Sequence, residues 1–419
     1  MNIRTKNNTD LLKIDFMIIP KTIFTFLFCC LAVISYSQIA VKADTIFTMA
    51  GTPILNGTIL INDGKIEKVG KSESITVPAG YQVYNAKFVT PGLIDARSVV
   101  GLSGSMNIPT DQDQLEKSSP FQPDLRAIDA YNPDEKLVSY LRNNGVTTIH
   151  TGHGIGALVS GQTMIAKTHT GFVNDVTIKP LAMIAMTIGS SVSSNFSSPG
   201  TKSKQIAMLR TELLKAQAYR KKMAEKDSTK RPSVDLKLDI LSKLLSGEIK
   251  ALISANTAND IMSAIRLSKE FQFKLVIEGA AEAYRIIDEI KSSGAELIIH
   301  ATMARNGGDM VNMTRENAAI LQRAGLTVSI ESGYEAYVPK TRLILFEAAL
   351  AHAHGLPYEE AVKSITINPA HLLGLEKRIG SIEPGKDADL VLYNGDPFEY
   401  LTKVCTVIIN GKIAAANCK

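Results

Sequence analysis

The sequence predicts an α/β protein: a (β/α)8 TIM barrel with a small β-sandwich domain built from both chain ends. Three observations carry this. Strand-like apolar runs alternate with helical ones through the middle of the chain, the pattern of a parallel barrel wrapped in helices. Both ends are rich in short strands and tight Gly-containing turns. At 419 residues and 45.4 kDa the chain suits one large barrel plus a small second unit better than a single core. The expected boundaries are 1–37 for a signal peptide, 38–90 and 377–419 for the two parts of the sandwich, and 91–376 for the barrel.

The first residues read as an address. Residues 23–34 (IFTFLFCCLAVI) form a short apolar run preceded by Lys21 and followed by Ser35, Tyr36 and Ser37. Small residues at the two specificity positions predict cleavage between Ser37 and Gln38. The run is too short to span a bilayer comfortably, so no stable membrane anchor is expected after cleavage. Polar, acid-containing residues 1–15 make an awkward leader, which leaves Met1 and Met17 as alternative starts. The chain then works outside the inner membrane, in the periplasm or beyond. Cys405 and Cys418 remain, and in an oxidising compartment they could form one disulfide or stay as two free thiols.

Residues 58–61 and 66–69 are strand-like and separated by Asn62-Asp63-Gly64-Lys65, a hairpin signal. Residues 88–104 (FVTPGLIDARSVVGLSG) start as a strand and meet Pro91-Gly92, which marks a change of direction or of layer. Strands are expected at 146–150, 162–167, 181–188, 249–255, 274–278, 296–300 and 327–330. Helices are expected at 134–143, 204–225, 235–245, 258–270, 281–292, 315–323 and 342–354. Residues 380–397 and 404–414 return to short strands with Pro-Gly and Asn-Gly turns, which makes the sandwich a composite domain.

Composition excludes some partners. The net charge of +5 is modest and spread along the chain, and there is no Trp. With few aromatics to stack bases, no nucleic-acid partner is expected. The glycines of Gly152-x-Gly154-x-Gly156 lack a phosphate-loop lysine and a dinucleotide fingerprint, so they read as a tight loop. Ser160 lacks the frame of a nucleophile elbow. His169, His352, His354 and His371 read as turn, packing or helix-start residues.

The words PGLIDA, LRAIDAYNP, GVTTI, SGQTMIAKT, SITINPAHLLGL and GSIEPGKDADLVLYNGDP resemble the metal-dependent amidohydrolase superfamily, particularly its secreted, imidazolonepropionase-like members. The resemblance covers nearly all of the chain after the leader. It implies the same barrel and sandwich, and hydrolysis of non-peptide C–N bonds, often in cyclic amides. Water activated by one or two divalent ions would carry that chemistry. The family's first-strand His-x-His falls here on Arg97 and Val99. The further ligand positions fall on Gly189-Ser190, Ser254, Gly279 or its neighbour, and Glu331 or Ser332. Val, Ser and Gly give an ion little to bind, and a guanidinium has no lone pair to donate.

What this leaves is a degenerate metal site with chemistry-bearing residues around it. Glu278, His300 and Glu331 end successive strands and could act as an acid/base set, with Arg97, His150 and His153 as ligand-binding groups. The plainer reading is that each is hydrogen-bonded into the barrel mouth. Arg97 is placed to pair with Glu278 or Glu331 and to take a cation's electrostatic place. Asp95 reads as a packing or hydrogen-bonding residue. The expectation is a diverged member, a pseudoenzyme without cofactor, holding a small ligand at the barrel mouth, an anion among the candidates. Self-association or pairing with active relatives is the expected mode of assembly. The alternative is an active hydrolase with a remodelled site, metal-free or holding a divalent ion such as Zn in a non-standard arrangement.

Overall fold

The computed structural model describes residues 38–106, 108–300, 306–333 and 341–418. The expected signal peptide lies outside them. Two sheets organise the rest, one at the chain ends and one in the middle.

β1 (Ile39–Ile46) pairs antiparallel with β2 (Ile54–Asn62), which turns through Asp63-Gly64 into β3 (Lys65–Lys71). Asp63 and Gly64 both have positive φ, 50° and 73°, as a two-residue hairpin of this hand requires. β4 (Gln82–Pro91) runs parallel to β1 and antiparallel to β14 (Leu390–Tyr393), followed by β15 (Val404–Ile409) and β16 (Lys412–Ala416). Both chain ends therefore belong to one continuous seven-stranded ladder, β16-β15-β14-β4-β1-β2-β3. It curls back on itself: Ile66 donates its N–H to Lys386, and Ala388 donates to Gly64. Ile39, Val41, Ile59, Ile61, Leu390 and Ile408 fill the inside of that curl.

Cys405 on β15 and Cys418 beyond β16 are bonded, closing a loop of 13 residues' separation at the sheet edge. Cys405→Ser is expected to lower the unfolding free energy by about 2–4 kcal/mol, the usual effect of opening so short a loop. Urea unfolding of the oxidised parent and the variant would check this, and coincident midpoints would show that the bond does not hold the edge.

Pro91-Gly92 is the crossing between sheets. Gly92 donates its N–H to Asp389, the residue before β14, while Leu93 donates to Gly145, before the second barrel strand. A Cβ on Gly92 would lie 2.2 Å from Thr147 Oγ1, so only glycine fits this crossing. The second sheet begins at β5 (Leu93–Ser98) and continues through β6 (Val146–Gly152), β7 (Val159–Lys167), β8 (Thr177–Lys179) and β9 (Met183–Thr187). β10 (Lys250–Ala255), β11 (Leu275–Gly279), β12 (Glu296–Ile299) and β13 (Val328–Ile330) complete it.

The expectation of parallel strands throughout needs correction at one place. β7 runs antiparallel to both β6 and β9, and β8 is a short side strand on it. The cause lies in the connection at 153–158. A parallel crossover needs a dozen or more residues, and this link is long enough only for a hairpin. The first and last strands are joined through a strip of backbone: Ile330 donates to Ser364, and Ile94 donates to Ile365.

The expected helices occur at Lys136–Asn143, Lys202–Met223, Leu236–Ser246, Ala258–Phe271, Asn317–Arg323 and Ile344–Ala353. Asp235 and Thr257 cap their helices by accepting N–H groups of the first turn. The helix expected at 281–292 is broken into a 3-10 turn, Ala283–Arg285, and a short helix, Ile287–Ser293. Gly279 and Ala280, with φ of 86° and 51°, are still turning the chain where a helix would have to begin.

One polar cluster joins the two sheets. Lys167, at the end of β7 and only 2% exposed, forms ion pairs with Asp389 and, at 3.3 Å, with Asp387. Asp387 also receives Lys65 at 2.7 Å and Arg378 at 2.6 Å. No described helix is long and apolar enough to cross a membrane.

Candidate functional site

The carboxyl ends of β5, β10, β11, β12 and β13 meet around a cleft holding about 660 Å³ of space, its open mouth included. Arg97, Glu278, His300 and Glu331 line it together, with Ser254 and Gly279 between them. This is the rim at which barrel proteins place their reactive groups.

Arg97 is 2% exposed and held on several sides. Its guanidinium donates to the carbonyls of Ser98 and His153, and its Nε lies 3.4 Å from Glu278 Oε1. Burial raises the carboxyl of Glu278, an effect the adjacent guanidinium opposes. Burial, reinforced by the charge of Glu278, pushes Glu331 well above the ordinary range. Asp95 lies beneath, its Oδ1 accepting N–H groups from Arg97 at 3.3 Å and Ser332 at 3.0 Å. Burial raises it to about 7. One fixed cation thus faces several desolvated carboxyls, whose ionisation burial opposes. His300 is 5% exposed, neither ring nitrogen has a hydrogen-bond partner among the described residues, and burial lowers its pKa.

His150 and His153 do not line this cleft. His150 lies below the rim because β6 runs on to Gly152; its Nδ1 faces Ala96 O at 2.8 Å and its Nε2 faces Thr163 Oγ1 at 2.7 Å. Burial lowers it to about 3. His153 contributes its carbonyl to Arg97, while its ring packs where a Cβ on Gly161 would fall, 2.6 Å from Cδ2. Ser190 also lies off the cleft: its N–H and hydroxyl both donate to Asp309 at 2.8 Å, tying the 306–312 loop across the mouth.

The sequence reading passed over three contributors, Asn256, Ile155 and Met310. Asn256, just beyond β10, presents a buried amide oxygen that has no hydrogen-bond partner among the described residues. Val99, Ile155 and Met310 give the cleft an apolar wall. Asn256 stands two residues before the expected helix at 258–270 and carries no further signal. Val99 is marked only as a replaced ligand position, and no linear signal marks Ile155 and Met310, which come from separate loops.

Among the described residues, no group of three or more His, Cys, Asp or Glu is placed to hold a metal ion. The donors present do not fit one either, since a guanidinium stands beside Glu278. Carboxyl, imidazole and amide groups thus gather at the open end of the barrel, the rim at which barrel proteins place a functional site. The Amidohydrolase family profile matches residues 331–414. The crystal structure of an amidohydrolase from Thermotoga maritima superposes with a TM-score of 0.85 at 30% identity, over 90% of this chain and 100% of that one.

The chain therefore belongs to the amidohydrolase family, and within it to the imidazolonepropionase-like members. Imidazolonepropionase of Fusobacterium nucleatum is 24% identical over 85% of this chain and 91% of its own length. Amidohydrolase tasK of Hapsidospora irregularis is 25% identical over 81% of this chain, and this match spans 38% of that protein's length. The family to which it belongs is one of hydrolases that act on C–N bonds.

Proposed function

We propose that this chain is a diverged amidohydrolase-family member that binds a small ligand at its barrel mouth without metal-activated water. The observation that carries the reading is the buried ion pair of Arg97 with Glu278, on a guanidinium also anchored to two backbone carbonyls. A cation fixed there supplies positive charge to an acidic mouth but no Lewis acidity. Export to an oxidising compartment is part of the proposal, and the bonded Cys405 and Cys418 support it.

Elemental analysis of protein purified without chelator tests the reading. The expected result is no stoichiometric Zn, Mn or Fe, with no turnover of cyclic amides or N-formyl amines. One equivalent of metal, lost in Glu278→Ala or His300→Ala together with C–N hydrolysis, would replace it with an active hydrolase built on Glu278, His300 and Glu331.

A further inference from the structure

We infer that the cleft takes a small organic cation, a primary ammonium carried on a short apolar body, in preference to an anion or a neutral amide. The inference rests on the small-ligand reading above and names the chemical class of that ligand.

The groups left without partners are mostly acceptors. Among the described residues, Glu331 Oε2 and Asn256 Oδ1 are buried and make no hydrogen bond. His300, neutral and likewise without partners, has one more acceptor on whichever ring nitrogen lacks the proton. The donors around them are largely engaged. Arg97 donates to two carbonyls while its Nε, without a hydrogen bond, faces Glu278 at 3.4 Å; the Ser332 N–H serves Asp95, and the Ser332 hydroxyl accepts from Thr341 at 2.9 Å.

A buried polar atom without a partner is a cost that only a matching group removes. An ammonium has three donors and no acceptor, which matches a floor of free acceptors. A carboxylate would bring further acceptors and a second negative charge among Asp95, Glu278 and Glu331. A divalent ion held by Glu278 would sit against a guanidinium fixed 3.4 Å away. Val99, Ile155 and Met310 offer the ligand's apolar body a wall on the same cleft.

Calorimetric titration with n-butylammonium, butyramide and butyrate, matched in size and differing in charge, tests this. The expected result is a Kd for butylammonium at least tenfold below that for butyramide, with no heat from butyrate. Glu331→Gln and, should that variant fail to fold, Asn256→Leu are expected to weaken butylammonium at least tenfold without moving the other two. Tighter binding of butyramide or butyrate would overturn the cation while leaving a small-ligand cleft standing. No binding by any of the three would overturn both. Stoichiometric zinc binding that excludes the amine would overturn the inference in favour of a metal site.

Discussion

Arg97→Met should lower the unfolding free energy by about 3–5 kcal/mol at pH 8, the scale of removing one partner from a buried ion pair. Arg97 is almost wholly buried, and its guanidinium stands 3.4 Å from the desolvated carboxylate of Glu278. With the cation gone, Glu278 must ionise uncompensated or keep a proton. Its carboxyl is already raised by burial, and losing Arg97 raises it further. A carboxyl raised on folding binds more protons in the folded state than in the unfolded one. Stability from that source is present at low pH and is lost as pH climbs through the folded value. The penalty for Arg97→Met should therefore be smaller at pH 5 than at pH 8. Arg97→Met combined with Glu278→Gln should recover much of the loss. Urea titrations of the single and double variants at both pH values decide it. An equal deficit in single and double variants would mean that the pair is not what the guanidinium stabilises.

Lys167→Met carries the second large effect, again about 3–5 kcal/mol for an orphaned buried charge. Lys167 is the barrel's contribution to a cluster otherwise supplied by Asp389, Asp387, Lys65 and Arg378 of the end sheet and its approach. Asp387 keeps two other cations, so the exposed deficit falls on Asp389. Amide exchange along β14 should accelerate in the variant, and Asp389→Asn should restore part of the protection. Unchanged exchange at Leu390–Tyr393 would sink the idea that this cluster fastens the end sheet to the barrel.

How far the sequence could be read is best seen at particular residues. Arg97, Glu278, His300 and Glu331 meet because each stands at or just beyond the carboxyl end of a strand, which apolar runs reveal. His150 was misplaced because its strand continues for two residues beyond the expected end, so the ring drops into the barrel interior. The direction of β7 is a property of loop length, which the strand's own residues do not encode. Lys167 left no signal either: one lysine after Thr163-Met164-Ile165-Ala166 reads as a strand end until its partners appear from more than two hundred positions away. Asn256 and the apolar wall belong to loops, where spacing carries little information.

The seam at Pro91-Gly92 also bears on biogenesis. β4 finishes at Pro91, yet its hydrogen-bonding neighbour on one side, β14, begins only at Leu390. Until the entire barrel has been made, β4 offers a bare edge with free N–H and C=O groups, the kind of template that recruits foreign strands. Such distant pairing is slow to form, so the nascent protein carries an unfinished sheet until Leu390–Tyr393 can pair with β4.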